Sequence, residues 1–224
     1  MSAADPSDGF RTRSVPVDRV VLAVVAVTLL ALAARVVGLG ARPFHWDEAR
    51  VGYWSLRYLD TGSFEYRPVA GGPFLYLAER YVLGAVGTTD VTARAVVAVV
   101  GGCSPLAALL FRRRRSADTS ATPRYRLTDA ETVAMAGLLA VSPTLLYYGR
   151  FLRGDLPLAV FGLVVVGCVV RILDAEDAAA ARPYRYLGAA ALGLAVAASA
   201  FVVGYLLCWL AAAALTVDQR RLVD

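Results

Sequence analysis

Residues 20–39 read VVLAVVAVTLLALAARVVGL, an apolar run whose one charge, Arg35, stands near its far end. About 20 apolar residues in a helix cross the hydrocarbon core of a bilayer, so the segment predicts a membrane span. The rest of the 224-residue chain agrees: 58% of it is hydrophobic, 18% is charged, and its mean hydropathy is +0.57. That balance excludes a disordered chain and a nucleic-acid-binding domain, and points to an integral membrane protein.

Further apolar runs follow. Residues 91–111 form a second predicted span, interrupted by Gly101-Gly102 and Pro105, and residues 132–148 a third, with Pro143 as a kink. A fourth covers 156–173. Residues 186–216 are apolar throughout. As one straight helix they would measure roughly 46 Å against a core of about 30 Å, so a bend or two shortened spans broken near Ser199 are expected. Arg220 and Arg221 beyond the run favour two. The fold class is therefore all-α: a polytopic membrane protein with about five or six transmembrane helices and surface helices in its first outer loop.

Arginine placement sets the sides. All 23 basic residues are arginine, giving a formal charge of +5, and Arg112 to Arg115, Arg124 and Arg126 crowd one short loop. By the positive-inside preference this loop is cytoplasmic. Alternation then places the tail 1–17 inside, 40–90 outside, 149–155 outside and 171–185 inside, in a multi-pass protein of the cell membrane. The tail is too long and too acidic for a signal-peptide start, so the first span is expected to be uncleaved. Cys103, Cys168 and Cys208 lie in apolar runs without paired spacing and read as small buried hydrophobes. His45 is the sole histidine, which removes any multi-histidine metal site.

The outer loop 40–90 is too polar for lipid and too aromatic for a free loop. Trp46, Ala49, Tyr53, Leu56 and Leu59 recur at helical spacing, with Asp47, Arg50 and Arg57 on another side, as in a helix lying along the membrane surface. After the Thr61-Gly62-Ser63 turn, Pro73 at a first helical position opens a second short helix over 74–83.

Two segments carry candidate chemistry. In His45-Trp46-Asp47-Glu48-Ala49, adjacent carboxylates stand just beyond the first span. They could simply favour a helix N-terminus, with Asp47 pairing to Arg50, or they could supply a base that deprotonates an acceptor hydroxyl. The second segment is the short hairpin at 147–157, with Arg150, Arg153 and Asp155. It reads either as an aromatic belt with snorkelling arginines and Asp155 as a helix cap, or as a phosphate site, since guanidinium pairs with phosphate oxygens. A base on one outer segment and phosphate ligands on the other are what glycosyl transfer from a phosphate-linked lipid needs.

On these residues the chain resembles the GT-C membrane glycosyltransferases: an HxDEA-type acidic pair after the first span, surface helices in the first outer loop, and an RFxRxD-type hairpin before the fourth. Within them it is similar to the protein O-mannosyltransferase and aminoarabinose-transferase group, and most to haloarchaeal flippase-activity-associated proteins. The resemblance covers about residues 18–215, a GT-C-like transmembrane domain placed at 18–224, and it corresponds to the N-terminal half of longer relatives. It implies an inverting transferase that uses a polyprenyl- or dolichyl-phosphate sugar at the outer face. Asp47 would be the catalytic base and Glu48 its companion, with Arg150 and Arg153 near the donor phosphate. His45 and Asp155 would join the substrate side, and Asp47 with Asp155 would be the ligands of a divalent cation if one is used. Where relatives often carry Thr-Lys or Lys-Glu in the fifth apolar run, this chain reads Ala197-Ala198-Ser199-Ala200-Phe201.

Three readings stay open on the sequence: such a transferase; a non-catalytic component that assists translocation of lipid-linked saccharides; and a structural subunit bound to a membrane protein partner. A pump or channel fits poorly, because the spans hold almost no acids.

Overall fold

A computed structural model describes residues 18–67, 71–113 and 126–221, with side chains as far as residue 215. The tail 1–17, the loop residues 114–125 and the side chains of Arg220 and Arg221 lie outside the described residues, and with them part of the cytoplasmic arginine cluster expected from the sequence.

The described secondary structure is helical, and each helix starts where a cap permits. Asp18 caps α1 (Arg19–Val36), its carboxylate accepting from the Val20 N–H at 2.9 Å, and Gly38, at φ +69°, turns the chain just beyond it. His45 caps α2 (Trp46–Thr61), which Gly62 ends at φ +67°. Pro73 stands in the first turn of α3 (Pro73–Val86), as its spacing predicted. Thr89 opens α4 (Asp90–Gly102), and Pro105 lies in the 3-10 turn Ser104–Ala107 that leads to α5 (Ala108–Phe111). A Thr128–Glu131 capping box starts α6 (Asp129–Val141), and Pro143 breaks it from α7 (Pro143–Tyr148). Then come α8 (Asp155–Leu173), α9 (Ala178–Ala198) and α10 (Val202–Arg221), the last two separated at Ser199 as their combined length required.

Three stretches, Arg19–Val36, Asp90–Phe111 and Asp155–Leu173, are long and apolar enough to cross a membrane. The helix bundle has two polar ends. At one, Arg112 bonds Asp18 and Asp129, Arg126 bonds Asp174, and the Arg113 N–H donates to the Leu127 carbonyl at 2.9 Å. The start of α1, the end of α5, the start of α6 and the end of α8 are thereby tied together. At the other end, the Gly72 N–H donates to the Ala198 carbonyl at 2.7 Å, and a Cβ on Gly154 would collide with that same oxygen. Gly154→Ala is therefore expected to push the 149–154 hairpin off the end of α9. It should cost about 1–3 kcal/mol in an unfolding titration in detergent; an unchanged midpoint would mean that this end yields freely.

The stripe of Trp46, Tyr53 and Leu56 is exposed and points away from the protein, while α2 docks through Glu48, Val51 and Ser55. Two expectations need correction. Cys208 is exposed rather than buried, because α10 covers α8 with Trp209 and turns Cys208 outward. Gly154, not Asp155, occupies the cap position of α8, so Asp155 is free for another partner.

The core beneath α2 and α3 contains Val51, Leu75, Leu83, Val97, Leu152 and Leu156. Glu79 is buried at the same level, and among the described residues neither of its oxygens has a hydrogen-bond partner. Burial pushes its carboxyl from 4.5 to about 8, so at neutral pH it is held protonated. A raised folded-state value makes stability fullest below 4.5, falling as pH climbs through about 8, by a few kcal/mol in total. Unfolding midpoints measured between pH 5 and 9 should decline, and Glu79→Gln should remove most of that decline. A wild-type profile already flat over this range would contradict a buried neutral acid.

Candidate functional site

Both acids of the Asp47-Glu48 pair meet the 149–155 hairpin, and they do so differently. Glu48 is buried, one turn into α2, with its side chain aimed under the hairpin. It receives Arg94 in a two-pronged ion pair, Nε to Oε1 at 2.8 Å and Nη2 to Oε2 at 3.0 Å. The Leu152 N–H donates to Oε1 at 2.9 Å and the His45 N–H to Oε2 at 3.0 Å. Arg94 in turn donates through Nη1 to the carbonyls of Leu39 and Arg42, at 2.9 and 3.0 Å, and packs over the Phe44 ring. One buried pair therefore fixes the α1–α2 loop, the start of α2, the first turns of α4 and the hairpin. Burial pushes the Glu48 carboxyl up, but the bonds from Arg94, His45 and Leu152 outweigh it and hold it below the usual carboxylate value.

Four donors occupy Glu48, so the companion-base role does not suit it. It ties the start of α2, where Asp47 stands, to Arg94 and the hairpin. Asp47 itself is only partly buried, and the i+3 pairing with Arg50 does not form. Its Oδ2 accepts from Arg153 Nη1 at 3.1 Å, and among the described residues no hydrogen bond reaches Oδ1. Arg153 Nε also donates to Asp155 Oδ2 at 3.0 Å, so one guanidinium bridges the acid of α2 to the acid of α8. All three side chains are open to solvent by roughly a third, 31% for Asp47, 37% for Arg153 and 42% for Asp155, enough to meet a ligand. His45 stands beside them, 3.9 Å from Asp47 Oδ2, and its Nδ1 accepts the Asp47 N–H at 3.4 Å.

Compared with family models, curated proteins and solved structures, the chain matches none.

Arg150 lies next to this cluster but points elsewhere. Its Nη2 donates to the Ala34 and Val37 carbonyls at 2.7 and 2.6 Å, closing the end of α1. Behind it, Arg35 is fully buried, donating Nη1 to its own-helix carbonyl Ala31 while Nε and Nη2 have no partner. Gly101 and Gly149 make room for it: a Cβ on either would sit 3.2 or 3.0 Å from Arg35 Nε. Arg42 lies over the Phe151 and Tyr147 rings, 4.5 and 5.7 Å from their centroids. Among the described residues none of Arg35, Arg42 and Arg150 has a carboxylate partner.

Arg153 occupies the space between Asp47 and Asp155, the two carboxylates named for a cation, and a metal there would have to displace it. Among the described residues no group of three or more His, Cys, Asp or Glu side chains converges. Sequence reasoning missed Arg94 and underread Arg35. The signal was present: an arginine inside an apolar run is costly unless something receives it.

Proposed function

We propose that the chain is a membrane glycosyltransferase, or the membrane half of one, that moves a sugar from a polyprenyl- or dolichyl-phosphate donor to an acceptor hydroxyl. One observation carries the reading: Asp47, a solvent-reachable carboxylate, is bonded to Arg153, and that same guanidinium reaches Asp155 from the hairpin side. In this reading α1, α4–α5, α6–α7, α8, α9 and α10 cross the bilayer, with the Asp47 end outside and the Arg112 end inside. The exposed Trp46, Tyr53 and Leu56 of α2 then rest in the headgroup layer.

Asp47 takes the proton of the acceptor hydroxyl as that oxygen attacks the anomeric carbon. The bond from that carbon to the phosphate oxygen breaks, and the phosphate leaves with the electron pair, so the anomeric centre inverts. Arg153 stabilises the charge that develops on the phosphate, Asp155 holds it in place from the far side, and Arg150 joins only by leaving the Ala34 and Val37 carbonyls that it now closes. The fit of residues to roles follows the resemblance to GT-C enzymes.

A second reading has its own observation in favour. Asp47 is engaged by Arg153, as in a static cradle for a lipid phosphate, which suits a component that helps lipid-linked saccharides cross the bilayer. Membranes holding the full chain and a labelled polyprenyl-phosphate sugar separate the two. Transfer that is lost in Asp47→Asn supports the enzyme. Movement of a fluorescent lipid phosphate that persists in Asp47→Asn but fails when Arg150 and Arg153 are both replaced by glutamine supports the translocation component. Transfer indifferent to Asp47 removes the base assigned here.

A further inference from the structure

A cavity lies away from the Asp47 end. It opens at the opposite end of the bundle and has a volume of about 1320 Å³. Small-molecule sites measure roughly 300–1,000 Å³, so this space is generous for a soluble metabolite. Its inner wall is apolar, with Val99, Leu106, Phe161 and Val164. Its mouth is not: Asp18, Arg19, Arg112, Arg113, Asp129 and Arg171 surround it. Both acids are already bonded to Arg112. Arg19 and Arg113 are exposed, and no described acid pairs with either. With both described acids of the mouth taken by Arg112, Arg19 and Arg113 stand exposed and open to an anionic ligand.

We infer that this cavity binds a membrane lipid with an anionic phosphate headgroup: its acyl chain against Val99, Phe161 and Val164, its phosphate between Arg19 and Arg113. Depth chooses the lipid. Along α8 the lining runs from Val160 to Arg171, roughly 16 Å at the helical rise, which is about half a hydrocarbon core of about 30 Å. One leaflet's acyl chain fills that length, and a long polyprenyl chain would overrun it. Charge chooses the headgroup, because guanidinium groups without carboxylate partners favour phosphate oxygens over a zwitterionic head. This inference does not rest on the transferase reading, which concerns the other end.

The test is equilibrium binding to the purified full chain in detergent. The probes are radiolabelled dioleoyl phosphatidic acid, dioleoyl phosphatidylcholine and a short polyprenyl phosphate. Phosphatidic acid should bind at least about tenfold more tightly than phosphatidylcholine. Replacing Arg19 and Arg113 together with glutamine should weaken phosphatidic acid about tenfold or more and leave phosphatidylcholine unchanged. Val164→Trp, which fills the cavity, should weaken both phospholipids. Because the arginine pair is exposed, that variant keeps the test meaningful even if the tryptophan variant does not fold. Equal affinity for the two phospholipids, or phosphatidic acid binding indifferent to the arginine pair, overturns the site. Tighter capture of polyprenyl phosphate than of phosphatidic acid overturns the choice of lipid.

Discussion

Arg94→Met should lower the unfolding free energy by about 3–5 kcal/mol, the cost of leaving one member of a buried ion pair behind. Glu48 would stay in place with two backbone donors and no cation, and the carbonyls of Leu39 and Arg42 would lose the guanidinium that donates to them. Glu48→Gln should cost a similar amount for the converse reason. The double change Glu48→Leu, Arg94→Met should recover part of the loss, since an apolar pair leaves no buried charge. Recovery stays incomplete, because the Leu152 and His45 N–H groups then lack an acceptor. Unfolding in detergent, followed through the fluorescence of Trp46 and Trp54, measures all four proteins. Single variants as stable as wild type would show that this pair does not hold the outer loop to the hairpin.

Asp47→Asn is expected to leave the fold nearly untouched and to remove transfer. Its contact with Arg153 is partly exposed, and such pairs contribute about 0–1 kcal/mol. General-base catalysis contributes about 10² to 10⁴ in rate, so sugar transfer should fall by that factor, while the unfolding midpoint moves little. Arg153→Lys should give an intermediate result. A single ammonium cannot reproduce the separate Nη1 and Nε contacts to Asp47 and Asp155, yet it keeps the charge. The contrast with Glu48 is the informative part: one neighbour in the pair governs rate, the other governs folding. If Glu48→Gln keeps its stability and loses transfer while Asp47→Asn keeps both, the two roles are reversed and the site must be redrawn.

The helices were legible because their signals are local. Pro73, Pro143 and Gly62 act within a turn of where they stand, so the start of α3, the α6–α7 break and the end of α2 follow from short windows. The interruption at Ser199 was also legible, since a continuous apolar run of that length exceeds the bilayer. The docking face of α2 was not. Periodicity picked out the aromatic stripe, but a helix between protein and exterior has two apolar opportunities, and the buried face is chosen by Glu48 reaching Arg94, a partner on α4 far along the chain.

Sequence alone therefore determined an all-helical chain with apolar stretches able to cross a membrane, and picked two polar segments worth bringing together. Hydropathy and capping are properties of neighbours, and neighbours are what a sequence records. Tertiary structure decided which of two adjacent carboxylates lies open and which is sealed under the hairpin, that Arg150 closes a helix end, and that a lipid-sized cavity lies away from both segments. Those outcomes turn on burial and on pairing between distant residues, which exist only once α1, α2, α4 and α8 have packed.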